Sequence, residues 1–148
     1  MPRHTRIQGL IIQNHRILLI RAYEIKTGAS FWVIPGGGQE AGESDEECLS
    51  REMKEETGLD VRIGKLLIEQ KAPPEDEYKI LKSYICSPAG GSPEPGSEPE
   101  VEGQIEIAAV RWFDLRDETG WSIDLRKDPY TYPHLVQVRH ILGYTTKK

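Results

Sequence analysis

The sequence predicts an α+β domain, and three observations predict it. The apolar runs are short and broken by polar or proline-marked turns, as strands are. One acidic segment near the middle carries helix caps and helical spacing, and a second helical pattern lies close to the end. The 148 residues fit one domain, 1–148, built on one hydrophobic core.

Within Met1 to Tyr23 the runs Gly9 to Ile12 and Ile17 to Ile20 are split by Gln13-Asn14-His15-Arg16. The polar break predicts a hairpin and argues against a signal peptide or a membrane-spanning helix. His4 and His15 flank these runs with no partner cluster and read as surface residues. Arg21 follows the second run. A guanidinium there would hold phosphate oxygens through two parallel hydrogen bonds, or would simply end a strand in solvent. Glu24 to Ser30 reads as a loop into the strand Phe31 to Ile34, and Pro35-Gly36-Gly37-Gly38 then forms a glycine loop that lets backbone approach a ligand.

Asp45 to Thr57 is the predicted helix. Ser44 and Glu47 form a capping-box pattern and Gly58 supplies the stop. Between Glu40 and Asp60 there are nine acidic residues against two basic ones, in a chain whose total charge is only −5. Like charges at helical spacing repel, so a positive occupant is expected. Glu52, Glu55 and Glu56 stand at i, i+3 and i+4 on one face, while Leu49 and Met53 form an apolar stripe beside them. Three carboxylates offer oxygen ligands only, which suits a hard dication such as Mg²⁺. A solvated acidic face is the bland alternative, and the strand and glycine loop immediately before the helix argue against it.

Beyond the helix, Asp60 to Ala72 alternates like a strand, Pro73 to Glu77 interrupts it, and Tyr78 to Cys86 resumes, giving a long hairpin. Of the seventeen residues from Ser87 to Gly103, eleven are Ser, Pro or Gly and four are Glu, so this segment reads as a flexible loop and a conceivable substrate lid. Gln104 to Asp114 is a strand and Asp114 to Asp128 a polar connection. Pro133 to Tyr144 is a helix, with His134 and His140 on its surface or in its packing.

No basic run accompanies the net charge of −5, which makes nucleic acid an unlikely partner in electrostatic terms. Cys48 and Cys86 have neither metal-ligand nor disulfide-framework spacing and read as reduced thiols of a cytoplasmic protein.

The stretch from Gly37 to Leu59 resembles the signature of the Nudix hydrolases at every fixed position: Gly37, five residues, Glu43, seven residues, Arg51-Glu52, apolar Met53, one residue, Glu55-Glu56, one residue, Gly58 and apolar Leu59. The resemblance implies the Nudix fold, a mixed β-sheet sandwiched between α-helices. It also implies Mg²⁺-dependent hydrolysis of a phosphoanhydride in a nucleoside diphosphate linked to another moiety, with Mn²⁺ as a substitute ion. Carried over by position, Glu52, Glu55 and Glu56 are catalytic metal ligands, the carbonyl of Gly36 is a further oxygen, and Glu43 with Arg51 is a structural pair.

Members of the family often draw one more carboxylate from outside the motif. Glu106, six residues before Trp112, is the first choice here and Glu102 the second, while Glu98 and Glu100 read as solvated loop charges. Arg21 lies where such proteins often line the substrate pocket. Homodimers are common among them. The substrate range covers nucleoside triphosphates, dinucleoside polyphosphates, ADP-ribose and sugar nucleotides, and Pro73, Pro74 and Tyr78 do not decide between these. Tyr23, Phe31 and Trp32 would either stack on a base or pack the core. A non-catalytic nucleotide- or RNA-binding sensor is the alternative, marked by lost glutamates or a basic surface, and neither feature is present.

Overall fold

The structure is a computed structural model, and residues 4–74, 76–97 and 103–144 are described. Strands β1 (Thr5–Gln13) and β2 (Arg16–Glu24) form the expected hairpin, turning through Asn14 and His15 at φ 52° and 66°. Two successive positive φ values match the twist of the flanking strands. The pairing lasts only for Ile12 with Ile17 and Gln13 with Arg16, after which the strands diverge. β2 goes on to pair with β3 (Ser30–Val33) and β7 (Ile105–Asp114). β1 pairs with β4 (Gly36–Gly38) and, in parallel, with β6 (Ile80–Gly90), which carries β5 (Asp60–Lys71) on its far edge. The result is a seven-stranded mixed sheet.

Helix α1 (Asp45–Thr57) covers one face of this sheet. Its Cys48, Leu49 and Met53 are fully buried against Ile7, Ile11 and Leu18. The short α2 (Ile123–Arg126) and α3 (Thr131–Ile141) cover the other face, where Leu125, Leu135 and Val138 meet Leu10, Leu19, Trp32 and Phe113. Apolar residues alternate between the two clusters along β2: Ile17 and Leu19 face α3, and Leu18 faces α1. This is the α+β sandwich, a mixed sheet between helices, that the resemblance implies. Trp32 is 3% exposed and edge-on to Phe113, so it packs the core.

Three local expectations need correction. Gly36–Gly38 is not a bare loop but a buried strand in register with Arg6–Gln8. The polar connection after Asp114 holds a 3₁₀ turn (Glu118–Gly120) and α2, because Trp121 and Leu125 anchor it in the core. The predicted loop from Ser87 begins later: β6 continues to Gly90, where its backbone still finds partners on Asp60–Arg62 of β5. Backbone pairing does not require apolar side chains, so composition alone misplaced this boundary.

Candidate active site

α1 begins as its sequence dictates. The Ser44 side chain accepts from the Glu47 amide, Glu47 accepts from the Ser44 amide, and three acidic residues in the first turn complement the helix dipole. Asp45 fixes this end to the sheet through Lys82, Gln39 and the hydroxyl of Tyr84. At the other end Gly58 adopts φ 78° and its amide donates to the Lys54 carbonyl.

Along the helix, Glu52 and Glu56 are 1% and 0% exposed, whereas the Glu55 side chain is 28% exposed. Burying two carboxylates is costly unless a positive partner or hydrogen bonds compensate. Glu56 Oε1 accepts from the Gly36 amide at 2.9 Å, so β4 holds this side chain directly. Glu52 lies against Gly37 so closely that a Cβ there would sit 2.3 Å from its carboxyl carbon. The glycines thus admit a carboxylate of the chain itself.

Arg51 is the local counter-charge. Its Nε and Nη2 donate to the two oxygens of Glu43 at 2.8 and 3.0 Å, and its Nη1 reaches Glu52 at 2.9 Å and Glu55 at 3.4 Å. The guanidinium holds the Glu43 carboxyl below the usual carboxylate range despite partial burial. Burial, reinforced by Glu43 and Glu52, pushes the Cys48 thiol up to about 12, which keeps it neutral and unreactive.

Among the described residues no three His, Cys, Asp or Glu side chains are gathered as a ready metal cage. Among the described residues, the Arg51 guanidinium reaches Glu43, Glu52 and Glu55 alike. The donors nevertheless suit a hard dication: they are all carboxylate oxygens, on one helix face, beside a glycine cradle that any Cβ would fill.

The other expected residues are placed elsewhere. Glu106 pairs across from Tyr23 and is exposed. An even spacing from Trp112, which packs with α1, would turn Glu106 toward that helix. The register shifts by one residue at Ala108, however, and turns it to the opposite face, the one Arg21 occupies. Arg21 itself is tied to Asp124 of α2 and to Ser30 and lies over the Trp32 ring. Neither residue meets the α1 glutamates. The Gly36 carbonyl accepts from Arg6 Nη1 at 3.2 Å, and Gly36 enters the site through its amide. Glu98, Glu100 and Glu102 lie outside the described residues.

No local pattern marks Arg6, which donates to the Ile34 and Gly36 carbonyls and so fixes the entry to β4. An arginine in a strand reads as solvent-facing unless its partner, 28 to 30 residues away, is known.

The family model described as NUDIX domain matches residues 2–134. The chain belongs to the Nudix family. It is 34% identical over 123 residues to an ADP-ribose pyrophosphatase of Methanocaldococcus jannaschii, covering 82% of this chain and 68% of that one. It is 28% identical over 141 residues to an RNA pyrophosphohydrolase of a Marinomonas species, covering 82% and 83%. Among solved Nudix-fold structures, an ADP-ribose pyrophosphatase from Streptococcus suis superposes with TM-score 0.67 at 22% identity, covering 100% of this chain and 96% of that one. The Nudix relatives are thus named as pyrophosphatases and hydrolases, and this Nudix chain is an enzyme of that type. No helix among the described residues is long and apolar enough to cross a membrane.

Proposed function

We propose that the protein is a Mg²⁺-dependent pyrophosphohydrolase cleaving the phosphoanhydride of a nucleoside diphosphate linked to another moiety. The observation that carries this reading is the pair of nearly fully buried carboxylates, Glu52 and Glu56, one helical turn apart and backed by β4. Burying two acids costs free energy that a structural role alone does not require, which makes the pair a functional-site candidate.

Glu52, Glu55 and Glu56 would hold the ion. A dication bound there supplies charge neutralisation for phosphate oxygens and an orienting centre for water. The chain's own residues do the rest. The Gly36 amide fixes Glu56, and Gly37 gives Glu52 its place. Arg51 holds Glu52 and Glu55 while Glu43 anchors Arg51, so the repulsion between two of the three carboxylates is offset by an internal cation that bridges them. ADP-ribose heads the substrate class, on the name of the 34% identical relative. The two free, buried cysteines fit a reducing, cytoplasmic setting.

The test is a hydrolysis panel of ADP-ribose, dinucleoside polyphosphates, sugar nucleotides, nucleoside triphosphates and 5′-triphosphorylated RNA, with and without Mg²⁺, products identified by mass. Metal-dependent release of a nucleoside monophosphate or of pyrophosphate supports the proposal. Saturable nucleotide binding with no product from any substrate would instead establish the sensor.

A further inference from the structure

The segment between β6 and the end of the second described stretch closes the last turn of α1. Once Gly58 has taken the Lys54 carbonyl, the helix still presents three terminal acceptors, those of Glu55, Glu56 and Thr57. Each receives an amide from one short strap. Ser97 donates to Glu55 at 2.8 Å, Gly96 to Glu56 at 3.1 Å and Glu94 to Thr57 at 2.9 Å.

The strap sequence Ser92-Pro93-Glu94-Pro95-Gly96-Ser97 suits this work. Its prolines lack N–H groups and stand where no donor is used, and they restrict φ, so less entropy is lost when the strap docks. Gly96 permits the contact, since a Cβ there would lie 1.8 Å from the Glu55 carbonyl oxygen. A Cβ on Gly91 would likewise lie too near the Gly58 carbonyl oxygen, at 2.6 Å. The side chains of 92–97 are exposed, so the strap is held by backbone rather than by an apolar core.

Two of the three capped carbonyls belong to Glu55 and Glu56. A helical last turn frays readily when its carbonyls lack partners. Fraying here would move both carboxylates away from Glu52 and from the Gly36 amide.

We propose that residues 92–97 form a positioning strap for the Nudix metal site: by holding the backbone of Glu55 and Glu56 they set the geometry of both carboxylates and thereby the affinity for the dication. This rests on the proposed function, in which those carboxylates hold metal. Thermodynamic linkage makes the coupling reciprocal, so metal must also tighten the strap.

The experiment has two arms, both read with Mn²⁺ or Mg²⁺ alone and the full chain. In the first, calorimetry compares the unaltered protein with Gly96→Ala, whose methyl meets the Glu55 carbonyl, and with Ser97→Pro, which removes one donor. The expected result is dication affinity weakened about 5- to 150-fold, the span of typical coupling between sites, in each variant that keeps its folded circular dichroism. In the second arm, amide exchange at Glu94, Gly96 and Ser97 is followed in the unaltered protein, and saturating metal is expected to slow it. A strap that only caps the helix would lower the melting temperature of the variants, leave metal affinity unchanged and leave exchange insensitive to metal. That outcome overturns the inference. If the unaltered protein binds no dication, the metal-site reading itself has failed, which separates the two failures.

Discussion

Gly37 and Glu52 are placed so that no side chain larger than hydrogen fits between them: a Cβ on Gly37 would meet the Glu52 carboxyl at 2.3 Å. β4 is fixed by its pairing with Arg6–Gln8 and α1 by its apolar stripe, so neither partner is at liberty to retreat. Gly37→Ala is therefore expected to displace the Glu52 carboxylate. Turnover should fall by about 100-fold, the usual cost of a misplacement near 1 Å in a reacting site. Urea unfolding should show a loss of about 1–3 kcal/mol from overpacking. Full activity in this variant would mean that Glu52 has no part in the chemistry.

Glu56→Gln separates charge from packing. The glutamine carbonyl still accepts from the Gly36 amide, so the geometry is kept while the negative charge is lost. Turnover with Mg²⁺ should drop by roughly 10²- to 10³-fold, as when one preorganised electrostatic group is removed. The metal-free protein should be as stable as before or more so, because a buried carboxylate has become a neutral amide. Glu55→Gln, at a more exposed position, should lower turnover in the same way with little change in stability.

The helix was readable residue for residue, because its caps, its acid spacing and its stop are all local signals. The turn at Asn14-His15 was equally local. What escaped depended on partners distant in sequence. Glu106 turned away because of one extra residue in β7, and no composition or spacing signals a bulge at Ala108. Arg21 found Asp124 across 103 positions. The strap's glycines and prolines look like disorder until the carbonyls they serve are in view. β4, made of glycine alone, has no propensity to announce it as a strand, and only its neighbours make it one.

Arg51→Lys tests the fork. Lysine keeps the charge but cannot match both oxygens of Glu43 while reaching Glu52 and Glu55. Chemical unfolding should show a loss of about 2 kcal/mol, below the value for breaking a fully buried pair because a quarter of the Arg51 side chain is exposed. Unchanged stability would reduce Arg51 to a simple counter-charge.

His134 gives the protein an acid-side sensitivity unrelated to the glutamates. The residue is 7% exposed, and its ring shares a hydrogen bond with Ser83, which also receives one from Gln8. Burial, with a smaller contribution from the Arg6 charge, lowers its pKa from 6.5 to about 4. The unfolded chain therefore binds the extra proton first, and stability falls as pH drops from about 6.5 to about 4. His134→Gln should flatten that part of a stability-against-pH curve measured by urea denaturation. An unchanged slope would place the sensitivity elsewhere.

The proposed function requires the α1 carboxylates Glu52, Glu55 and Glu56 to hold a dication beside the diphosphate of the substrate. Anomalous diffraction from crystals soaked in Mn²⁺ with a non-hydrolysable nucleoside diphosphate analogue tests it most directly. The account predicts a metal peak within coordination distance of Glu52, Glu55 and Glu56, next to the diphosphate. Glu52 and Glu55 still gripped by Arg51, with manganese bound elsewhere or nowhere, would contradict it.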